Sequence, residues 1–122
     1  MMHRRHRLTG NKEFRNVRSD GRAWSHPLLV LCAYANGLAH SRFGFVVGRR
    51  IGKAAVRNLV KRRLREATRA RLPGIEAGWD VVMIARPAIV HAQFVEVVRA
   101  LDWLLSRAGL CQDATPLADV AE

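Results

Sequence analysis

Three short apolar runs constrain the fold of this chain more than any other feature. They are PLLVLCAY (27–34), RFGFVVG (42–48) and WDVVMIAR (79–86). Apolar runs of this length, bounded by turn residues, are typical of strands. Because the Asn-Gly pair in ANGLAHS predicts a turn between the first two runs, we expect those two strands to form an antiparallel hairpin.

Helical patterns precede, separate and follow these runs. NKEFRNVR (11–18) predicts a short helix that ends before Gly21. Residues 54 to about 72 have a helical composition and are followed by a Pro-Gly pair that would end the helix. In residues 94–109 apolar side chains recur at helical spacing up to Gly109, so we expect a helix with one buried stripe.

The elements follow the order α-β-β-α-β-α, which predicts an α+β fold: a single-domain α/β sandwich with helices packed against a small sheet. A chain of 122 residues suits one domain. We expect that domain to span residues 1–109, with a mobile basic arm at 1–8, and the acidic residues 110–122 to form a disordered tail. The pattern leaves open an additional strand before Phe14 and a split in the first apolar run.

Positive charge is distributed unevenly along the chain. All 21 Lys and Arg residues, but seven of the ten Asp and Glu residues, precede Gly109. Such an excess repels itself unless a polyanion neutralises it, and nucleic acid is the commonest polyanion. Eighteen of the basic residues are Arg, whose planar guanidinium grips phosphate through two hydrogen bonds and stacks on bases. The composition therefore favours a nucleic-acid-binding domain.

Several other classes of protein are disfavoured. The basic N-terminus lacks the apolar segment of a signal peptide, and no stretch approaches the roughly 18 apolar residues that span a bilayer. Cys32 and Cys111 are not spaced as a metal site or a disulfide framework. We therefore expect a cytoplasmic protein that binds neither a membrane nor a small-molecule substrate.

The predicted helix at 54–72 carries the densest charge. An apolar stripe occupies one side of its helical wheel and consists of Val56, Val60, Leu64 and Ala67. A broad basic face occupies much of the rest and consists of Arg57, Asn58, Lys61, Arg62, Arg65 and Arg69. Between residues 42 and 71 there are eleven basic residues and a single acid, Glu66. A solvated helix normally interleaves opposite charges, so we interpret this face as a polyanion-binding surface. A solvated face and a nuclear localisation tract are the alternatives.

The loop GRRIGK (48–53) differs from a phosphate-binding Walker motif. Three residues instead of four separate Gly48 from Gly52, and Ala54 follows Lys53 where a hydroxyl side chain would bind magnesium. We interpret the segment as a tight basic loop whose glycines let the backbone approach RNA.

A protein that cleaves RNA by itself would need different residues. Metal-assisted cleavage requires clustered carboxylates, and cleavage without a metal requires a His pair or a His-Lys set. The acidic residues and the five histidines of this chain are dispersed, so we expect no catalytic and no metal-binding residues. A structural or ribosomal-type RNA-binding protein with no nuclease role stays open as an alternative.

The segment GFVVGRRIGKAAVRNLVKRRLRE (44–66) resembles the signature of the bacterial ribonuclease P protein component, and the resemblance extends over about residues 7–109. It implies a sheet with a left-handed βαβ crossover, as in the second domain of ribosomal protein S5. It also implies a protein subunit that assists a catalytic RNA in removing the 5′ leader from precursor tRNA. The RNA subunit would hold the catalytic Mg²⁺ ions. The protein would support the active fold of the RNA and bind the single-stranded leader in a cleft between its first helix and the sheet face.

The resemblance also implies which residues contact RNA. Phe14 matches an aromatic residue of the first helix that contacts the leader. Arg18 replaces a second aromatic residue, and Tyr34 lies two residues after Cys32, which stands at a strand position where an aromatic often occurs. We therefore expect stacking from Phe14, with contributions from Tyr34 and Arg18. The other candidate RNA-binding residues, from the loop, the basic face and the end of the third run, are Arg49, Arg50, Lys53, Arg57, Asn58, Lys61, Arg62, Arg65, Arg69 and Arg86.

Overall fold

The computed structural model describes residues 3–111, which form three helices and a four-stranded mixed sheet. In chain order the elements are α1 (Asn11–Asp20), β1 (Arg22–Ser25), β2 (Leu29–Ala35), β3 (Arg42–Val46), α2 (Ala54–Arg71), β4 (Trp79–Ala85) and α3 (Phe94–Arg107). The predicted α+β class, the three helices and the three predicted strands are confirmed. Within residues 3–111 no strand precedes Phe14; the fourth strand, β1, follows α1 and was not predicted, because it is short and mostly exposed and leaves no apolar run in the sequence.

The expected hairpin between β2 and β3 is wrong, because the strand order in the sheet is β1-β2-β4-β3. β4 lies between them, antiparallel to β2 and parallel to β3, so that Met83 is opposite both Leu31 and Phe45. The loop that joins β2 to β3 (36–41) is longer than a two-residue hairpin turn and spans the intervening strand. β3, α2 and β4 therefore form the βαβ crossover that the resemblance implies; its left-handed sense stays a prediction.

The two faces of the sheet bury different sets of side chains. Helices α2 and α3 cover one face, where Leu31, Phe43 and Met83 are buried. Helix α1 covers part of the other face, where its Val17 packs with Cys32 and with strand residues of β4. α1 can approach β2 this closely because its last turn ends at Gly21: a Cβ there would lie 2.6 Å from the carbonyl oxygen of Ala33.

Both ends of the described chain pack against the domain. Leu8 is buried, and its backbone N–H donates to the carbonyl of Phe43 at 2.9 Å. At the other end Leu110 and Cys111 are buried, so the packed domain extends two residues beyond the expected boundary. Residues 112–122, the rest of the expected acidic tail, lie outside the described residues. Among the helices that are described, none has the length and apolar character required to span a membrane.

Candidate nucleic-acid interface

Helix α2 separates its apolar and basic sides as the sequence predicts. Val60, Leu64 and Ala67 are buried against the core. Thr68 is buried as well. Its hydroxyl donates a hydrogen bond to the Leu64 carbonyl at 2.8 Å, so this polar group has a partner within the helix. Of the predicted basic face, Asn58, Arg62, Arg65 and Arg69 are exposed, while Arg57 and Lys61 are half-buried.

One acidic side chain opposes this basic face. Glu66 accepts a hydrogen bond from Nη2 of Arg69 at 2.9 Å, and about half of each side chain is exposed. The hydrogen bond raises the pKa of Arg69 and lowers the pKa of the Glu66 carboxyl. Within residues 3–111 no salt bridge involves any other residue predicted for this face. Most of the positive charge of α2 is therefore available to a ligand.

Two further basic residues of the 42–71 region stabilise the fold instead. Arg42 donates to both carboxylate oxygens of Asp80, at 2.8 and 2.7 Å, and Asp80 is only 3% exposed. This hydrogen-bonded pairing raises the pKa of the Arg42 guanidinium. Arg71 of α2 similarly donates to Asp102 of α3, with 3.0 Å between Nη2 and Oδ2. The count of basic residues along the sequence thus overstates the cationic surface by these two.

Arg57 differs from its neighbours on the basic face. Its Nε atom is buried, and no described group accepts a hydrogen bond from it. A buried donor without a partner destabilises the folded protein. Within residues 3–111 no hydrogen bond at Nε therefore fixes the position of this half-buried side chain.

The predicted basic loop directly precedes α2. Arg49 and Arg50 lie in a short 3₁₀ helix, Lys53 is the N-cap residue of α2, and all three are exposed. Gly52 has φ 149°, a conformation that residues with a side chain rarely adopt, so this glycine is required by the backbone. The loop extends the cationic side of α2; we name as the α2 basic surface Arg49, Arg50, Lys53, Arg57, Asn58, Lys61, Arg62 and Arg65.

A second candidate site lies on the sheet face beside α1. The ring of Phe14 rests on Gly44 of β3, where an added Cβ would lie 2.6 Å from Cε1 of the ring. Next to it, Val30, Ile84 and Val46 form a row across three strands, since Ile84 pairs with both valines. All three side chains and Phe14 are half-buried, so they present an apolar strip to solvent. We call this strip, with Phe14, the α1 cleft.

The remaining predicted residues border the α1 cleft unequally. Arg18 is exposed on α1. Its charge acts on the nearby thiol of Cys32: burial raises the pKa of that thiol, and the positive charge of Arg18 opposes the rise. Arg86 is exposed and follows β4 two residues after Ile84, on the same side by strand alternation. Tyr34 is half-buried on the same face. Along β2 it is separated from Val30 of the row by Cys32, so it lies farther from the row. The structure thus brings Phe14 and Arg86 nearer to the row than Tyr34.

The sequence did not single out the valine–isoleucine row as part of a site. In β2 and β4 both faces are apolar, so periodicity could not tell which face α1 leaves partly open. The signal that was present is the glycine at 44 within an apolar strand, which often marks close approach of another group. No group of three or more His, Cys, Asp or Glu side chains in residues 3–111 is arranged to hold a metal ion.

Comparisons with known sequences identify the family. The chain matches the family model described as Ribonuclease P over residues 2–109. It is 44% identical over 114 residues to the ribonuclease P protein component of Roseiflexus castenholzii, with 93% of each chain covered. It is 42% identical over 112 residues to that of Herpetosiphon aurantiacus, covering 92% of this chain and 91% of the relative.

Solved structures show the same fold. The RNase P protein from Thermotoga maritima is 33% identical, with a TM-score of 0.77 and coverage of 83% of this chain and 96% of that chain. The Staphylococcus aureus RNase P protein has a TM-score of 0.82 at 24% identity, covering 88% of this chain and 98% of that chain, which supports the fold alone. With the family match spanning nearly all of the described residues, this chain belongs to the ribonuclease P family, as a protein component of that enzyme.

Proposed function

We propose that this protein binds the RNA subunit of ribonuclease P and the 5′ leader of precursor tRNA, and so assists endonucleolytic removal of the leader. The observation that carries the proposal is the presence of two different exposed surfaces on one rigid domain. The α2 basic surface is cationic, and within residues 3–111 none of its residues forms a salt bridge, whereas the α1 cleft is apolar and aromatic. Two RNA elements of different character fit these two surfaces.

The α2 basic surface suits a folded RNA. Arg62 and Arg65 project from a helix whose other side is anchored in the core by Leu64, so their positions are fixed relative to the sheet. Guanidinium groups held in this way bind phosphates at defined spacing, which positions the protein on the RNA without reading its sequence. Asn58 adds an amide that both donates and accepts hydrogen bonds.

The α1 cleft suits an unpaired strand. Single-stranded RNA exposes the faces of its bases, which stack on aromatic rings and on apolar surfaces. Phe14 supplies the ring, the Val30–Ile84–Val46 row supplies apolar surface, and Arg18 and Arg86 supply charge for the phosphates. The 5′ leader is a single-stranded part of a precursor tRNA, so we assign it to this cleft.

The chemistry belongs to the RNA subunit in this proposal, with Mg²⁺ held by that RNA and by the substrate. The support is that three of the seven acidic side chains in residues 3–111 bind arginines, and that no three His, Cys, Asp or Glu side chains in this range are grouped to hold a metal ion. Asp80 binds Arg42 and Asp102 binds Arg71, while Glu66 binds Arg69. No protein residue is therefore assigned a catalytic role. Cys32 and Cys111 are unpaired thiols, which suits the reducing cytoplasm where we place the reaction.

Reconstitution tests this function. Precursor tRNA is incubated at physiological magnesium with the protein alone, with the catalytic RNA of the same bacterium alone, and with both. We expect cleavage with both and little with either component by itself. Cleavage by the protein alone would make it a nuclease in its own right. Cleavage by the RNA that the protein leaves unchanged would favour a structural RNA-binding role.

A further inference from the structure

A third surface combines aromatic and basic side chains at the β1 edge of the sheet. The guanidinium carbon of Arg22 lies 5.6 Å from the ring centroid of Trp24 on the same strand. On α3, which packs against β1, the guanidinium carbon of Arg107 lies 4.8 Å from the ring centroid of Trp103. The imidazole of His26 meets Trp103 edge-on, with the ring centroids 5.6 Å apart. We call these five residues the β1–α3 surface.

This surface is accessible and its cations are not neutralised by acids. Arg22 and Arg107 are exposed, and both tryptophans are half-buried with one side packed on the core. Within residues 3–111 neither arginine takes part in a salt bridge. Arg99, one turn before Trp103 on α3, is exposed and adds a further positive charge.

Cation–π pairs of Trp and Arg have the chemistry that single-stranded nucleic acid requires. A guanidinium over an indole is held by the ring's negative face and keeps its own outer face and N–H groups for a ligand. A base can continue the stack on the guanidinium, while the remaining N–H groups bind the adjacent phosphates. An acidic peptide would use the charges but would leave the two stacking platforms unused.

The β1–α3 surface lies directly across the β1 edge from the α1 cleft. Val30 of the cleft pairs with Ser25 of β1, and His26 follows Ser25 and contacts Trp103. Because β1 is an edge strand, no other strand of the described sheet stands between the two surfaces. A strand of RNA that leaves the cleft at Val30 therefore reaches the opposite face, where Trp24 and Trp103 lie, by passing around the single edge strand β1.

We propose that the β1–α3 surface binds leader nucleotides upstream of those held in the α1 cleft. This inference rests on the proposed function, since it requires that the leader occupy the cleft. It assigns to Arg22 and Arg107 a role in affinity for long leaders and none in affinity for short ones. Trp24 and Trp103 then serve as platforms beneath the two guanidinium groups.

The test compares leader lengths in the reconstituted holoenzyme. Dissociation constants are measured for precursor tRNAs with no leader, a leader of about five nucleotides and a leader of about fifteen, a range that spans the known sizes of single-strand sites. With the natural protein we expect the longest leader to bind about tenfold more tightly than the short one, from stacking of added bases. The double variant Arg22→Ala/Arg107→Ala should lose this gain and keep the affinity for the short leader. The matched control Arg4→Ala/Arg5→Ala, which removes two exposed charges outside the three surfaces, should keep both.

Each other outcome of the comparison is decisive. A length gain that persists in the Arg22→Ala/Arg107→Ala variant overturns the inference, as does an equal loss in the control or the absence of any gain in the natural protein. Weaker binding of the short leader by the variant would place the surface on another part of the complex, which also overturns it. Equal binding of the leaderless and short-leader substrates would instead overturn the proposed function.

A fluorescence measurement tests the same contact without the arginine variants, so it stays informative if those variants fail to fold. In Trp79→Phe protein the tryptophans of the β1–α3 surface are the two that remain. Their fluorescence should be quenched when the holoenzyme containing this variant binds the long-leader substrate, and unchanged with the short-leader one. Identical emission with the two substrates would contradict contact between the upstream leader and this surface.

Discussion

The ring of Phe14 occupies the space that a side chain at position 44 would need. A Cβ added to Gly44 would lie 2.6 Å from ring atom Cε1, closer than real Cβ contacts occur. Gly44 does not have a positive φ, so the backbone itself would accept alanine there. The glycine is therefore required by the ring of Phe14 and not by the strand.

Replacing Gly44 with alanine should destabilise the protein through this ring alone. We expect Gly44→Ala to lower the free energy of unfolding by about 1–3 kcal/mol, the usual effect of overpacking. In a Phe14→Ala background the same substitution should have little effect, because the clashing atoms are gone. Urea unfolding of the four proteins gives the coupling. Gly48→Ala is the control, since nothing lies within 4 Å of a Cβ at that position. Equal effects in both backgrounds would contradict the contact.

Phe14→Ala should weaken binding of the leader specifically. Loss of one base-stacking ring corresponds to about 1–3 kcal/mol of binding free energy. The measurement is the affinity of the holoenzyme for precursor tRNA with a leader compared with mature tRNA, which should be unaffected. Phe94→Ala removes an equally large ring that is 42% exposed on α3 and outside the cleft. A loss of leader affinity in Phe94→Ala protein as large as that in Phe14→Ala protein would remove the special role of Phe14.

Arg57→Met should separate RNA binding from stability. Methionine keeps the aliphatic packing and removes the buried Nε donor for which no described partner exists, so thermal stability should be unchanged or increased. Assembly with the RNA subunit should weaken, because one cation of the α2 basic surface is lost. Arg71→Met is the contrasting variant: it leaves the carboxylate of Asp102 without its partner and should lower the free energy of unfolding by about 1–3 kcal/mol. A strongly destabilised Arg57→Met protein would mean that Arg57 has a structural role instead.

The sequence predicts the elements and the basic helix well, and the sheet pairing poorly. The apolar stripe of α2 follows from helical periodicity, which is a local property of Val60 and Leu64. The partner of β2 depends on β4, which lies more than forty residues further along the chain, and a turn signal between β2 and β3 cannot reveal it. For the same reason charge counting included Arg42 among the eleven basic residues of the 42–71 region, although Asp80, brought beside it by the β3–β4 pairing, neutralises it.

Affinity for the RNA subunit should fall steeply as salt increases. Each cation that neutralises a phosphate contributes about 0.7–0.9 to the slope of log K against log salt concentration. Arg62→Gln should therefore reduce this slope by about the contribution of one phosphate contact. Arg4→Gln changes the net charge by the same amount and should leave the slope unaltered. The measurement is a binding titration at several salt concentrations. A slope close to zero for the natural protein would contradict phosphate binding by α2.

Acidification should destabilise the protein through His26. Burial lowers the pKa of this imidazole below its ordinary value of 6.5, and its Nδ1 accepts a hydrogen bond from the N–H of Leu28 at 3.0 Å. The folded state therefore binds fewer protons than the unfolded state between the two pKa values, so the contribution of His26 is complete above pH 6.5 and is lost as the pH falls toward the folded pKa.

Thermal unfolding measured from pH 7.5 down to about pH 5 checks this dependence. The natural protein should lose stability across the range in which His26 titrates, and His26→Gln protein should lose less, because an amide does not take up a proton there. His91→Gln, at an exposed position, should retain the full dependence. Since the neutral imidazole also packs against Trp103, acid should loosen the β1–α3 surface before the rest of the fold, and the emission of Trp103 should change at a higher pH than the overall unfolding signal. Coincident changes in the two signals would mean that His26 titrates only with global unfolding.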